Sequence, residues 1–195
     1  MTAHLPLVTD AAYVSQGSFR ALMDGFARPG EIRTISSTTA PAPLAPATAA
    51  ILLCLADFET PIWLDKALDE SQIADWIRFH TGAPLVGAPS GAVFAVIGNS
   101  REAPEFTDFA QGSDEYPDRS TTVIIQVDRL EGEPIAICGP GIRGTRAISA
   151  EPLPQNFAAR LSANRELYPR GIDLILTASR SFQALPRSVR VVEGI

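Results

Sequence analysis

Lysine is almost absent from this sequence. Of the 16 basic residues, 15 are arginine, and Lys66 is the only lysine. A pyridoxal phosphate enzyme needs a lysine to form its internal Schiff base. Lys66 stands beside Asp65 in the polar stretch DKALDE, a poor place for a desolvated amine with a low pKa. The sequence therefore predicts no catalytic lysine and no such cofactor.

Metal ligands and thiols are also scarce. The two histidines, His4 and His80, and the two cysteines, Cys54 and Cys138, lie far apart. A structural zinc site needs ligands in closely spaced pairs, so we predict no metal site. Both cysteines lie in apolar segments, which favours two reduced, buried thiols in the cytoplasm. A disulfide between them stays open as an alternative.

Long hydrophobic runs are missing too. The longest uninterrupted one, residues 49–56, has eight residues, and a transmembrane helix needs about 20. The N-terminus shows no basic region followed by an apolar stretch, so we predict no secretory signal. The net charge is −6 and no basic face is visible, which argues against a nucleic-acid-binding protein.

What the sequence has is a well-patterned apolar core. The chain has 195 residues, of which 46% are hydrophobic, enough for one globular domain spanning residues 1–195. Apolar periodicity predicts helices near residues 11–27, 47–57, 69–81 and 155–168, alternating with strands. The run AVFAVIG is typical of a strand covered on both faces. STTVIIQVDRL and EPIAIC, joined by EGE, predict a β-hairpin. The pattern favours an α/β fold: a three-layer sandwich around a mixed sheet.

The segment CGPGIRG raises a sharper question. Gly139, Gly141 and Gly144 match the G-x-G-x-x-G spacing of a dinucleotide-binding loop. Such a loop must open a helix whose N-terminus faces the phosphates. Pro152 and Pro154 follow closely and argue against a helix there. We therefore expect a tight turn with Gly141 at positive φ, in which backbone N–H groups remain able to contact a phosphate.

No complete catalytic constellation is visible. The sequence has neither the G-x-S-x-G nucleophile motif nor a P-loop lysine. His80, at the end of a predicted helix, has two interpretations: a residue bonding the last carbonyls, or a general base. Such a chain is typical of a subunit whose site is completed by partners.

Seven blocks along the chain, in their order and spacing, resemble the H-subunit family of the bacterial carbon–phosphorus lyase system. The resemblance runs from about Ser18 to Val191. The blocks are FRALMDGFARPG (19–30), LLCLADFETPIWL (52–64), RFHTGAPL (78–85), TTVIIQV (121–127), GPGI (139–142), YPRGIDLILT (168–177) and LPRS (185–188).

The resemblance implies a role in organophosphonate catabolism in the cytoplasm. It implies a complex with partner subunits G, I and J that transfers phosphonate to the ribose C1 of ATP and releases adenine. It further implies a homodimer of the isolated protein. The implied fold is related to the large domain of pyridoxal phosphate-dependent transferases, without the cofactor site.

The resemblance also selects candidate ligand or interface residues by their match to the blocks. These are Arg28, Pro29, Gly30, Asp57, Thr60, Arg78, His80, Gly139, Gly141, Asp173 and Arg187. The sequence departs from the family pattern at Val189, which replaces a hydroxyl residue, and at Arg170, where the family often has an apolar residue.

The residues leave two roles open for Arg28, Arg78 and Arg187. They suit bidentate contacts to phosphate or phosphonate, and they equally suit pairing with acids at a subunit interface; we favour interface and architecture. Asp57 would cap a turn or orient an arginine. The alternative hypothesis is an independent small-molecule or phosphate-ligand-binding enzyme of the pyridoxal phosphate transferase lineage.

Overall fold

A computed structural model describes residues 9–35 and 39–192 of the chain. His4 lies outside these residues. The helices in this part of the chain are α1 (Thr9–Ala27), α2 (Pro46–Leu55), α3 (Ser71–Thr81) and α4 (Phe157–Glu166). The strands are β1 (Arg33–Thr34), β2 (Ile62–Leu64), β3 (Phe94–Ile97), β4 (Thr122–Gln126), β5 (Ile135–Cys138), β6 (Arg146–Ile148), β7 (Asp173–Ala178), β8 (Ser181–Leu185) and β9 (Arg190–Val191). The α/β prediction is confirmed.

The main sheet is mixed and has the strand order β1-β8-β7-β4-β3-β2. Strands β2, β3, β4 and β7 run parallel, whereas β8 is antiparallel to both β7 and β1. A second, antiparallel sheet has the order β6-β5-β9. The predicted hairpin between β4 and β5 is therefore wrong, because the two strands lie in different sheets.

The core lies on both faces of the main sheet. In β3, Phe94 and Val96 join the cluster under α1, α2 and α3, while Ala95 and Ile97 join the cluster under α4 and the small sheet. This alternation follows from the two-residue period of a strand. All four residues are buried, as predicted for a strand covered on both sides. The main sheet thus lies between two layers.

The helices show where apolar periodicity misled. In α1 the buried residues include Ser18, Leu22 and Gly25, whereas Phe19 and Met23 face solvent. Gly25 is needed there, because a Cβ would lie 2.7 Å from the Phe182 ring.

In α3 the helical spacing of Ile73, Trp76, Ile77 and Phe79 predicts one buried stripe. The prediction is confirmed at Ile73 and Ile77, which are buried, but Phe79 is 85% exposed. Helix α3 ends at Gly82, whose φ of 73° is the left-handed conformation typical of a glycine at this position.

Candidate functional site

The candidate residues lie in two groups along one edge of the main sheet. Asp57 and Thr60 precede β2, and Asp173 begins β7, so all three residues lie where the parallel strands start. Arg187 follows β8, which runs antiparallel and therefore ends at the same edge. We call this the amino edge. Of these residues, Arg187 has the densest set of contacts.

Arg187 is tied entirely to neighbouring groups. Its Nε and Nη2 donate to the two carboxylate oxygens of Asp173 at 3.2 and 2.5 Å, and Nη2 also donates to Ser120 Oγ at 2.5 Å. Nη1 donates to the carbonyls of Pro117 at 2.5 Å and Pro169 at 3.5 Å. A guanidinium has five N–H donors, and each has an internal acceptor here. We call these residues the Arg187 hub.

The Arg187 hub joins segments far apart in sequence. It connects the loop before β4, the turn before β7, and the segment after β8. The backbone N–H of Arg187 also donates to Asp173 Oδ1 at 2.8 Å. The side chain is only 15% exposed, so the hub fixes the edge and leaves no guanidinium hydrogen for a phosphate.

The Arg28-Pro29-Gly30 turn packs directly against the glycine turn. Gly141 has φ of 82°, as predicted, and a Cβ there would lie 2.2 Å from the carbonyl oxygen of Ala27. On the other side of that turn, a Cβ at Gly139 would lie 3.1 Å from the Ser188 carbonyl oxygen. Two blocks chosen from sequence alone are therefore in contact.

Hydrogen bonds hold the Arg28-Pro29-Gly30 turn in place. The Gly30 N–H donates to the Ala184 carbonyl at 3.0 Å, and Gln183 Nε2 donates to the Gly30 carbonyl at 3.2 Å. Arg146, on β6, donates to the Pro29 carbonyl at 2.8 Å. Arg28 itself is exposed and lies 3.6 Å from Asp24, one turn earlier in α1. The backbone of this turn is thus structural, and only the Arg28 side chain faces solvent.

Glu31 links two strands through paired arginines. Its carboxylate accepts from Arg33 at 2.6 Å and from Arg146 at 3.1 Å. Arg33 lies on β1 of the main sheet and Arg146 on β6 of the small sheet. This ion-pair triad therefore connects the two sheets across the Arg28-Pro29-Gly30 turn.

A second group of candidates lies beside β2. Asp57 and Thr60 close a turn: the Asp57 N–H donates to Thr60 Oγ1 at 2.6 Å, and the Glu59 N–H donates to Asp57 Oδ1 at 2.9 Å. Capping a turn was one of the two roles predicted for Asp57. Arg78, at the end of α3, is exposed and lies 3.7 Å from Asp75.

His80 packs with aromatic rings. Its ring centroid lies 4.7 Å from that of Trp76 and 5.0 Å from that of Phe79. In the part of the chain that the structure describes, it makes no hydrogen bond to the last carbonyls of α3. The predicted hydrogen bond from His80 to these carbonyls is therefore not observed.

The two groups of candidates are separated along the edge. Strands β4 and β3 lie between β7 and β2, which amounts to about 14 Å at the usual strand spacing. The structure brings Arg28–Gly30, Gly139, Gly141, Asp173 and Arg187 together. It leaves Asp57, Thr60, Arg78 and His80 as a distinct group.

The glycine loop lacks the setting of a nucleotide-binding loop. It connects β5 to β6, which are antiparallel neighbours, and no helix follows Gly144 before β6. The electrostatic contribution of a helix N-terminus is therefore missing, as the prolines predicted.

The opposite edge, where open α/β sheets usually bind ligands, is occupied by internal contacts. After β2, the buried carboxylate of Asp65 accepts from the N–H groups of Gly98 and Asn99, both at 2.9 Å. At the end of β4, Gln126 Oε1 accepts from the Ala45 N–H at 2.6 Å, just before α2. In the first turn of α2 the Ala47 N–H donates to the Ser179 carbonyl at 2.8 Å, so this helix N-terminus is also held by internal contacts.

The side chains that could bind a cofactor or act as a nucleophile are poorly placed for these roles. Lys66 is exposed. Burial raises the pKa of the Cys54 thiol, so this thiol stays protonated at neutral pH and is a weak nucleophile. No disulfide bond joins Cys54 and Cys138. Within residues 9–35 and 39–192, no cluster of three acidic, histidine or cysteine side chains is arranged to bind a metal ion.

Sequence reasoning missed the residues that complete these contacts. Ser120, Glu31, Arg146 and Gln183 carry no motif, and their partners lie more than 60 positions away in most cases. Two residues depart from the family pattern, Val189 and Arg170. Val189 is buried in the cluster that includes Ile137, where an apolar side chain is suitable. Arg170 pairs with Asp114 at 3.1 Å.

The comparison with protein families decides the assignment. The family described as bacterial phosphonate metabolism protein (PhnH) matches residues 6–192. The chain belongs to the PhnH family. It is 44% identical over 184 residues to the alpha-D-ribose 1-methylphosphonate 5-triphosphate synthase subunit PhnH of Rhizobium meliloti (strain 1021), covering 93% of this chain and 92% of that protein.

A more distant relative has a related name. The chain is 28% identical over 182 residues to the C-P lyase subunit protein HtxG of Stutzerimonas stutzeri, covering 90% of this chain and 85% of the relative. Both matches span nearly the full length of each protein. The family match confirms the resemblance that the seven blocks indicated, and every candidate residue falls within the matched region.

Proposed function

We propose that this chain is a subunit of a ribose 1-phosphonate 5-triphosphate synthase in phosphonate catabolism, acting with subunits G, I and J. In this reaction the bond between ribose C1 of ATP and adenine breaks, and a phosphonate oxygen bonds to C1. Adenine leaves, and the product keeps its 5-triphosphate. The 44% identity to a named subunit of such a synthase, over 92% of that relative, supports the assignment.

Within that assembly, the chain acts as a framework without a complete reaction centre of its own. The observation that carries this proposal is the Arg187 hub, in which all five guanidinium donors bind internal acceptors. The most anion-suited candidate is thus used to hold the fold. Arg28 is exposed and only loosely paired with Asp24, so it is free to meet an acidic group of a partner, whereas Arg78 lies beside Asp75 of its own helix.

Two further features complete the proposal. The parallel order of β2, β3, β4 and β7, with antiparallel β8, supports a fold lineage shared with the large domain of pyridoxal phosphate-dependent transferases. Exposed Lys66 fits the loss of the cofactor site. None of the helices that the structure describes is long and apolar enough to cross a membrane. We further propose that the assembly is cytoplasmic, as the resemblance to the H-subunit family implies.

Reconstitution tests the framework role. The purified chain, mixed with ATP and methylphosphonate, should release no adenine, whereas the complete set of subunits should. Omitting this chain from the co-expressed set should lower adenine release at least tenfold, because the remaining subunits lose a structural support. Turnover by the isolated, verified-pure chain would contradict the framework role, and failure to co-purify with the other subunits would contradict the assignment itself.

We propose that the isolated chain forms a homodimer through α1. Phe19 and Met23, one turn apart, are 47% and 44% exposed, and adjacent exposed apolar side chains mark an interaction surface. Light scattering of the wild type should give twice the monomer mass of 20.8 kDa. The Phe19→Ser/Met23→Ser variant should give the monomer mass. The matched variant Ile32→Ser, also at an exposed apolar residue, should remain dimeric. A dimer that survives the α1 double substitution would refute this interface.

A further inference from the structure

Two phenylalanines project into solvent near the end of α3. Phe58, in the turn before β2, is 73% exposed, and Phe79 is 85% exposed. His80 packs against Phe79 and Trp76. We call Phe58, Trp76, Phe79 and His80 the aromatic patch.

The geometry brings Phe58 to the same region as Phe79. A Cβ built at Gly82 would lie 3.7 Å from the Phe58 Cβ. Gly82 ends α3 only three residues after Phe79. The Asp57–Thr60 turn therefore presents Phe58 against the end of α3 that carries Phe79.

Leaving both rings in water has no structural benefit within the chain. A phenylalanine buries roughly 150–250 Å² when covered, so the two together offer about 300 Å² of apolar surface. A stable interface buries about 800 Å² on each partner. The aromatic patch is thus the size of an interface centre, where aromatic residues supply most of the binding energy, with polar neighbours as its rim.

The rim of the aromatic patch is acidic. Asp57 and Glu59 flank Phe58, and both are exposed without a cationic partner among the residues that the structure describes. The nearby Asp75 pairs with Arg78 only at 3.7 Å. An interface with two-fold symmetry contains the same surface twice, so it would bring two sets of unpaired acids together, which repel each other. The charge therefore disfavours a second copy and favours a basic partner.

We propose that the aromatic patch is the docking site for a different subunit of the synthase, one with an apolar pocket bordered by arginine or lysine. This inference rests on the proposed function, since it requires that the chain is part of an assembly. The turn formed by Asp57 and Thr60 then has a specific role, which is to hold Phe58 in position. His80 supports Phe79 through the contact between their rings.

Binding measured between this chain and the purified complex of the other core subunits tests the proposal. The Phe58→Ala/Phe79→Ala variant should bind at least 100-fold more weakly, because it removes the two aromatic side chains at the centre of the proposed interface. Its thermal midpoint should match the wild type, since both side chains are exposed. The control Ile32→Ala removes an exposed apolar side chain next to β1, at the far edge of the main sheet, and should bind as the wild type does.

The acidic rim has its own test. Glu59→Gln removes a charge that makes no ion pair in the described chain, so it should leave the fold unchanged. It should slow association several-fold at low salt and flatten the dependence of the association rate on salt concentration. An unchanged rate at every salt concentration would overturn a basic partner surface.

The outcomes separate this inference from the proposed function. If the wild-type chain binds no other subunit, the proposed function fails. If wild type and Phe58→Ala/Phe79→Ala bind equally well, the aromatic patch is not the docking site. If that variant instead turns the isolated dimer into a monomer, the patch serves a second copy, which also overturns the proposal.

Discussion

Arg187→Ala is expected to lower the free energy of unfolding by about 3 kcal/mol, because it leaves the partly buried carboxylate of Asp173 without its charged partner. Asp173 would keep a single donor, the backbone N–H of residue 187. Ser120 and the Pro117 carbonyl would lose their partner as well. For a chain of this length, the thermal midpoint should fall by about 10 °C.

Two variants make the Arg187 result specific. Arg129→Ala breaks an exposed ion pair with Glu151 and should cost only about 0.5 kcal/mol. Arg187→Lys keeps the charge but loses the planar fork, so its stability should lie between that of wild type and Arg187→Ala. If Arg187→Ala proved as stable as Arg129→Ala, the hub would not hold the edge together, and Arg187 would again be a candidate phosphate ligand.

Gly141→Val should destabilise the chain by about 4 kcal/mol. Left-handed backbone costs a residue with a side chain about 1–2 kcal/mol, and a Cβ at 2.2 Å from the Ala27 carbonyl forces a shift that adds about 1–3 kcal/mol. Because the clash arises at Cβ, Gly141→Ala should show most of the loss. Denaturant unfolding and assembly with the other subunits measure the effect.

Gly144 provides the matched control for this prediction. Its φ is 69°, yet a Cβ there meets no atom within 4 Å. Gly144→Val should therefore cost only the conformational part, about 1–2 kcal/mol. Equal losses for Gly141→Val and Gly144→Val would show that the close approach between the two turns is unimportant.

These two predictions show how far the sequence reached into the candidate site. The positive φ of Gly141 followed from a glycine beside a proline in a tight turn. That Gly141 lies against Ala27 did not, since the two are 114 positions apart and no local pattern links them. Similarly, the PRS segment marked Arg187 as a candidate, but its acceptors come from two distant segments, residues 117–120 and 169–173, so only the folded chain shows that its donors are fully used.

Helix faces show the same limit at the level of packing. The spacing of Phe19, Leu22, Met23 and Phe26 fits the helical period and predicts a helix. It does not decide which of several overlapping helix faces is buried. The structure buries the face with Ser18, Leu22 and Gly25, and at Gly25 the close approach of α1 to Phe182 leaves no room for a Cβ. Phe19 and Met23 are thereby turned outward, and Phe79 of α3 is exposed in the same way.

The sequence by itself determined the α/β class, the doubly covered strand β3, the end of α3 near residue 81, the absence of a helix after the glycine turn, and the PhnH family. Each depends on contacts within a few residues or on an ordered set of blocks. The tertiary structure alone decided that β5 joins a second sheet, that the Arg28–Gly30 turn contacts the glycine turn, and that Arg187 is internal. Strand pairing and ion pairing are chosen among distant segments by the burial of the whole core, and no local pattern encodes that choice.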